Sequence, residues 1–339
     1  MTPTPLAMNE LHVVYGTGPV GTAVIETLVA QGKPVRVVTR TGARKHLPPP
    51  VDVVRGDATD PADARCVCAG ATHVYNCTNP VDYHRWPEQF PPLQRGVLEG
   101  AAANGAKLIV MENLYMYGPH GGIPMREAMP LHGRGLRSTT RVRMTEELFA
   151  AHRSGQVRVV SVRASDLFGP HVTQSLVGEP FFAPLLRGKP AQLFANLDVA
   201  HSLSYVRDVG EALVRVGADD RALGRAWHAP NATAGTLRAF ARLLGEEAGL
   251  TPRLRGLPRA VTRTVLPLMG LAVPALRGLA ENLYIMYEPY VVDHSAYTQA
   301  FGDHATPLRV AIGDTIAWYR THTTTNVHAP IGSVVSQEG

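Results

Sequence analysis

The sequence predicts a doubly wound α/β fold, in which a parallel sheet carries helices on both faces. The first observation is an apolar run at residues 11–15 that meets a glycine-rich turn and continues into a helix-like stretch ending at Gly32. The second is that short apolar runs then alternate with helical patterns through the N-terminal half. Strands that read as continuous apolar runs are typical of a parallel sheet buried on both faces. Further strands are predicted at 35–39, 51–55, 73–77, 107–112 and 157–163, and helices near 61–69, 88–104 and 139–152.

The turn after the first strand has the spacing Gly-x-Gly-x-x-Gly. In a strand–turn–helix unit the first glycine permits the turn, the second lets backbone N–H groups approach a pyrophosphate, and the third lets helix and strand pack closely. The phosphate then lies at a helix N-terminus, where the helix dipole favours negative charge. The spacing predicts a Rossmann-type dinucleotide site formed by Gly16, Gly18, Pro19, Val20 and Gly21.

The second predicted strand indicates which dinucleotide binds. Proteins that bind NAD usually have a carboxylate at the end of this strand for the ribose hydroxyls, and here Arg40 follows the strand instead, with Arg44 behind it. A guanidinium pairs with a 2′-phosphate, so NADP(H) is the predicted cofactor. The alternative is that Arg40 is a solvated loop residue. Asp57 and Ala58, after the third strand, are predicted adenine contacts.

Composition excludes several other classes of protein. With 339 residues, 45% of them hydrophobic and 18% charged, the chain is long enough and apolar enough to bury a large core. The formal net charge of +5 comes from scattered arginines rather than one basic face, so no nucleic-acid partner is expected.

The cysteines and the N-terminal residues predict where the protein acts. Three cysteines, an odd number, indicate a reducing compartment without a disulfide framework, and no motif completes a metal site. The first residues have neither the basic nor the apolar region of a signal peptide. We therefore expect a cytoplasmic protein without a metal and without a membrane partner.

Several motifs in order resemble the extended and atypical branch of the short-chain dehydrogenases/reductases, which includes NAD-dependent epimerases and dehydratases. The resemblance covers about residues 10–215. It departs at Tyr15, where the extended branch usually has a further glycine. The motifs that carry it are the 16–21 loop and residues 56–57, 117–119, 163–170 and 205–209.

The resemblance implies two domains. Residues 8–165 together with 203–218 are expected to form the dinucleotide-binding domain. Residues 166–202 together with 219–322 are expected to form a smaller substrate domain, and residues 323–339 a flexible tail.

The catalytic residues of this family are mostly replaced here. The family uses a serine, and a tyrosine four residues before a lysine on one helix, so that the ammonium lowers the phenol pKa. Counting back from Tyr117-Gly118 puts Asn113 at the serine position. The best register of the helix motif puts Thr139 at the tyrosine position and Arg143 at the lysine position. An arginine stays protonated, so Arg143 is expected to bind the cofactor ribose or a phosphate without relaying a proton. Tyr115 is the nearest phenol that could act on substrate.

An apolar stretch at residues 257–287 is interrupted by arginines and prolines, so it cannot cross a membrane. Two helices broken near Met269-Gly270 would form a lid over the nicotinamide end and give a large, flat ligand an apolar wall. A plain helical subdomain packed on the core is the alternative.

These features predict an NADPH-dependent ketoreductase that acts on a bulky, largely apolar ketone. Within the atypical branch the chain resembles the angucyclinone ketoreductases of antibiotic biosynthesis, which also lack the tyrosine. That resemblance implies an aromatic polyketide substrate whose own hydroxyl supplies the proton, and the family allows a homodimer. The alternatives are a nucleotide-sugar epimerase or dehydratase, and an NADP-sensing regulatory protein without turnover.

Overall fold

The computed structural model describes residues 10–43, 47–80, 82, 85–232, 235–272 and 279–322. Arg44 and the predicted tail at 323–339 lie outside the described residues. The strands are β1 (Leu11–Tyr15), β2 (Val35–Thr39), β3 (Asp52–Arg55), β4 (Ala71–Asn76), β5 (Lys107–Glu112), β6 (Arg158–Arg163), β7 (Asp166–Phe168), β8 (Ala191–Leu193), β9 (Leu203–Tyr205), β10 (Ala226–His228) and β11 (Leu254–Gly256).

Helices cover both faces of the main sheet and build the C-terminal part of the chain. They are α1 (Pro19–Ala30), α2 (Pro61–Val67), α3 (Trp86–Ala103), α4 (Leu136–Arg153), α5 (Glu179–Leu186), α6 (Val206–Ala218), α7 (Leu237–Ala248), α8 (Arg259–Ala272), α9 (Leu283–Tyr287), α10 (Ser295–Phe301) and α11 (Leu308–His322).

The main sheet is parallel throughout, with seven strands in the order β10-β6-β5-β4-β1-β2-β3. The chain order reverses between β1 and β4, which creates the crevice where ligands bind in doubly wound sheets. The predicted fold class is confirmed. β10 lies within residues 219–322, which the resemblance assigned to the substrate domain, yet its pairing with β6 makes it part of the large sheet.

The apolar strand residues divide between two cores because successive side chains point to opposite faces. Val14 packs in one core with α1 and α6, where Val24 and Val209 are fully buried. The neighbouring Val13 packs in the other core, against Val97 of α3. Both faces of the sheet are therefore covered, which explains why the strands read as unbroken apolar runs.

A separate aromatic core lies beyond β6. Phe181 and Phe182 of α5 pack with Phe240 of α7 and Tyr319 of α11. The last helix of the described chain therefore holds α5 and α7 together and fixes the segment that follows β6.

The segment at 257–287 differs in part from its prediction. The segment forms separate helices as predicted, but α8 continues through Met269 and Gly270 and ends two residues later, at Ala272. A glycine costs only about 1 kcal/mol within a helix, which the rest of the helix offsets here. Among the described residues, no helix combines the length and the hydropathy needed to cross a membrane.

Candidate functional site

The loop between β1 and α1 has the backbone geometry that the glycine spacing predicts. Gly16 has a φ of 94°, and a Cβ there would lie 2.8 Å from the Cys77 carbonyl oxygen. A Cβ on Gly21 would lie 2.0 Å from the Gly16 carbonyl oxygen, so neither position accepts a side chain. Gly18 has open space where its Cβ would be, which leaves its backbone accessible to a ligand.

The N-terminus of α1 faces this open space. Its N-cap residue Gly18 supplies no side-chain hydrogen bond, and Pro19 begins the helix, so the backbone N–H groups of the first turn remain for a ligand. These groups and the helix dipole suit a pyrophosphate, and the loop therefore fits a dinucleotide.

Arg40 and Asp57 lie close together where β2 and β3 end. Hydrogen bonds from the hydroxyl and the backbone N–H of Thr59 lower the pKa of Asp57, and the nearby charge of Arg40 lowers it further. Arg40 itself is exposed. The Thr39 hydroxyl at the end of β2 is buried and has no hydrogen-bond partner among the described residues. Polar groups of this kind at the predicted ribose end are consistent with a bound dinucleotide.

The segment after β5 forms a tight turn. The Asn113 side-chain oxygen accepts a hydrogen bond of 3.1 Å from the Tyr115 backbone N–H, and a 3-10 helix follows over Tyr115–Tyr117. The Tyr115 ring stacks on Trp86, with ring centroids 5.9 Å apart. Asn113 therefore shapes the turn, and Tyr115 stays partly exposed beside it.

The inward face of α4 does not include the two positions chosen from the sequence. Thr139 and Arg143 are exposed on the opposite face of the helix, and their roles in catalysis and cofactor binding stay predictions. Ser138 is fully buried, and Val142 packs in the same cluster as Tyr115. Because residues four apart share a helix face, Ser138 and Val142 occupy the inward positions.

The inward face of α4 was hard to predict from the sequence because that face is polar. Arg141 and Thr145 point inward and bind the buried carboxylate of Glu112, at 2.9 and 2.6 Å. The other Glu112 oxygen accepts from Ser161 at 2.7 Å and from Arg163 at 3.2 Å. Burial opposes the charged form, but the two guanidiniums and two hydroxyls hold the pKa of Glu112 below its ordinary value.

The same network continues to Tyr117. The Arg163 guanidinium donates to the Tyr117 hydroxyl at 2.6 Å, and that hydroxyl also lies 2.8 Å from Nε2 of His228. The other ring nitrogen of His228 lies 2.8 Å from the Asp293 carbonyl oxygen. Tyr117 is thus a buried structural residue. We call Glu112, Arg141, Arg163, Tyr117 and His228 the paired cluster.

Aromatic and polar residues from several segments of the chain meet beside the 115–117 turn. The ring centroid of His120 lies 6.3 Å from that of Tyr284 and 5.8 Å from that of Tyr290, in both cases nearly perpendicular. Tyr290 also contacts His201, whose Nε2 lies 2.7 Å from an oxygen of Asp166. These groups reach the surroundings of the 115–117 turn through long-range contacts. From the sequence, the 257–287 segment, which contains Tyr284, is predicted to lie at this end of the site, but Tyr284 itself is given no role of its own.

A different groove, of about 590 Å³, lies away from this region and is lined by Lys107, Asp220 and Phe301 among others. Lys107 and Asp220 neutralise each other there through an ion pair of 2.6 Å. The groove carries no chemistry comparable with the carboxyl edge of the sheet.

A glycine-rich loop at the switch point of a doubly wound sheet, with polar groups at its ribose end, defines the fold of a nicotinamide-dependent oxidoreductase. The chain belongs to the NAD dependent epimerase/dehydratase family, whose family model matches residues 13–227. No curated protein sequence matches the chain significantly.

Solved structures share the fold over nearly the whole chain. A putative epimerase from Burkholderia cenocepacia J2315 has 17% identity and a TM-score of 0.72, covering 92% of this chain and 98% of its own. UDP-glucose 4-epimerase from Thermotoga maritima, solved with UDP-glucose, has 17% identity and a TM-score of 0.71, covering 92% and 99%. dTDP-glucose 4,6-dehydratase from Bacillus anthracis, solved with NAD, has 14% identity and a TM-score of 0.73, covering 93% and 98%. At these identities the likeness concerns the fold.

Proposed function

We propose that the protein is an NADPH-dependent ketoreductase acting on a ketone of a bulky aromatic polyketide of the angucyclinone type. The observation that carries the proposal is the identity of the two inward residues of α4. Ser138 and Val142 provide neither a phenol nor an amine, so the apparatus that deprotonates a sugar hydroxyl is missing from this helix. Reduction of a ketone, in contrast, needs only a hydride and a proton.

The cofactor part of the proposal rests on the ribose end of the loop. Arg40 is exposed beside Asp57, and no carboxylate ends β2, so a 2′-phosphate would meet a guanidinium rather than a like charge. The 16–21 loop would hold the pyrophosphate and Asp57 the adenine edge. When bound, reduced NADP supplies the hydride for the carbonyl carbon.

The substrate part rests on the aromatic surroundings of the turn. Tyr284 and Tyr290 are buried in one cluster, and Tyr115, which is partly exposed, packs against it and would offer its ring to a flat aromatic ligand. The resemblance to the angucyclinone ketoreductase of simocyclinone biosynthesis implies that a substrate hydroxyl beside the ketone supplies the proton. This chain also offers a donor of its own, as argued below.

Two other functions remain candidates. A nucleotide-sugar epimerase or dehydratase agrees with the family to which the chain belongs, and the missing phenol on α4 speaks against it. An NADP-sensing regulatory protein would also need the dinucleotide loop, but it would not need the aromatic cluster around the turn.

The experiment is NADPH oxidation, followed by absorbance, with 1-tetralone, 8-hydroxy-1-tetralone and 8-methoxy-1-tetralone. Turnover of any of these ketones that exceeds the rate without protein supports the reductase. Turnover of UDP-glucose or dTDP-glucose without turnover of ketones would establish the sugar-modifying alternative. Tight NADPH binding without turnover of either class would favour the regulatory protein.

A further inference from the structure

The C-terminal segment docks on the start of α4, beside the position that the sequence analysis assigned to the family's catalytic tyrosine. The Ser138 hydroxyl donates to the side-chain oxygen of Asn282 at 3.3 Å. The neighbouring Glu281 carboxylate accepts from the Arg137 backbone N–H at 3.4 Å, and a Cβ on Gly135 would lie 2.7 Å from it. The start of α4 and the segment before α9 are therefore in direct contact.

Tyr284 follows within the first turn of α9 and lies beside Ser138. Only 6% of its surface is exposed, and its hydroxyl has no partner of good hydrogen-bond geometry among the described residues, although the Ser138 hydroxyl lies beside it. Burial raises the pKa of Tyr284 to about 12, although the nearby Ser138 hydroxyl lowers it in part. The phenol is thus protonated at neutral pH and able to donate.

Two further buried polar groups at the same place lack partners. His120 is 9% exposed, and neither of its ring nitrogens has a partner of good hydrogen-bond geometry among the described residues. Burial lowers its pKa, so the ring is neutral at pH 7. The side-chain nitrogen of Asn282 is likewise buried and unpartnered within the described chain. We call His120, Asn282 and Tyr284 the unpaired cluster.

Unpaired polar groups are costly to bury, so their concentration at one place calls for an explanation. They adjoin the 115–117 turn and α4, where a substrate of the proposed reductase would place its reacting carbonyl. A carbonyl oxygen accepts what a phenol and an amide N–H donate. A ketone that entered between the C-terminal segment and α4 would satisfy the groups that folding leaves without partners, and because these atoms are buried, the segment must shift to admit it.

We propose that Tyr284 replaces the missing tyrosine of α4 as the proton donor to the substrate carbonyl oxygen, while His120 and Asn282 bind neighbouring polar groups. This inference rests on the proposed function. The carbonyl carbon receives the hydride of NADPH, and the π electron pair moves to oxygen. The oxygen takes the proton as the Tyr284 O–H bond breaks, and the tyrosinate then recovers a proton from water by way of Ser138.

The test compares Tyr284→Phe with a matched control on the same helix. The Tyr287 hydroxyl donates to the Leu257 carbonyl oxygen at 2.9 Å and also contacts Thr262, so Tyr287→Phe removes a hydroxyl that is already partnered. With 1-tetralone, which carries no hydroxyl, Tyr284→Phe should lower kcat at least about 100-fold while leaving KM and the NADPH Kd within about twofold. Tyr287→Phe should stay within about twofold in kcat. A Tyr284→Phe enzyme that keeps kcat within about threefold of wild type would overturn the inference and assign the proton to substrate or water.

A second measurement needs neither turnover nor cofactor. The cofactor-free protein is titrated with 1-tetralone and with tetralin, which has the same rings without the carbonyl. Wild type should bind the ketone at least about fivefold more tightly, and Tyr284→Phe should reduce this ratio to about one. An unchanged ratio would overturn the inference. If wild type reduces no ketone, the proposed function fails, and this ratio still decides whether Tyr284 is a carbonyl donor.

Discussion

The paired and unpaired clusters adjoin the same turn at 115–117 and differ in how their polar groups are satisfied. In the paired cluster, both oxygens of Glu112 accept two hydrogen bonds each, and Tyr117 links Arg163 to His228. In the unpaired cluster, Tyr284 and both nitrogens of His120 lack partners of good hydrogen-bond geometry among the described residues. A buried charge needs a counter-ion within the folded protein because burying an uncompensated charge costs too much free energy. Neutral hydroxyl and imidazole groups cost less to bury without partners, so they can remain available for a ligand. The comparison separates residues that hold the fold from residues available to bind.

The largest expected effect comes from breaking the paired cluster. Glu112→Gln keeps the shape of the side chain but removes the charge that Arg141 and Arg163 share. Two buried guanidiniums without a counter-ion should lower the free energy of unfolding by about 3–5 kcal/mol, measured by urea denaturation at pH 7. A loss below about 1 kcal/mol would show that the network contributes little to stability.

The same variant gives a pH dependence with a defined sign. The pKa of Glu112 is lowered in the folded protein from an ordinary value of 4.5, so its contribution is present above that pH and is lost as the pH falls through the folded value. The stability difference between wild type and Glu112→Gln should therefore be constant from pH 7 to about pH 5 and shrink in more acidic solution. A stability difference that grows as the pH falls would show that folding raises the pKa of Glu112 rather than lowering it.

Two matched variants, each lacking one tyrosine hydroxyl, test the comparison further, and the larger of their expected effects is of intermediate size. Tyr117→Phe leaves Arg163 Nη1 and His228 Nε2 without the hydroxyl that they contact, and should cost about 1–3 kcal/mol of unfolding free energy. Tyr284→Phe removes an oxygen that has no partner of good hydrogen-bond geometry within the described chain, so it should change stability by less than about 0.5 kcal/mol. Equal losses for the two variants, measured by thermal or urea unfolding, would mean that the Tyr284 hydroxyl has a structural partner after all.

The last comparison concerns two exposed arginines that the sequence analysis assigned to the dinucleotide. Wild type should bind NADPH at least about tenfold more tightly than NADH, about 1.4 kcal/mol, and Arg40→Ala should remove most of that preference. Arg143→Ala should leave both affinities within about twofold, because Arg143 is exposed on the face of α4 opposite its buried residues. Both predictions are tested by calorimetry. Equal wild-type affinities for NADPH and NADH would show that Arg40 does not select the cofactor. A tenfold loss of cofactor affinity in Arg143→Ala would show that Arg143 binds the cofactor ribose.

Local chemistry made much of the fold predictable. The strands and helices around the sheet follow from short apolar runs and turn residues, and their bounds agree closely with the structure. The glycine loop was predictable for the same reason, since the steric demands on Gly16 and Gly21 arise within a few residues or from the adjacent strand end.

The sequence by itself determined the class of fold, the dinucleotide loop and the absence of the tyrosine and lysine pattern from α4, because each depends on neighbouring residues. The tertiary structure decided which face of α4 points inward and which tyrosine lies beside Ser138. Arg141 turns inward only because Glu112, from a distant strand, is buried beneath it. Tyr284 reaches the site across more than a hundred residues of chain, through contacts that arise only when the C-terminal segment packs against α4. Hydrophobic periodicity could not predict either arrangement, since it registers burial of apolar side chains and not the pairing of buried polar ones.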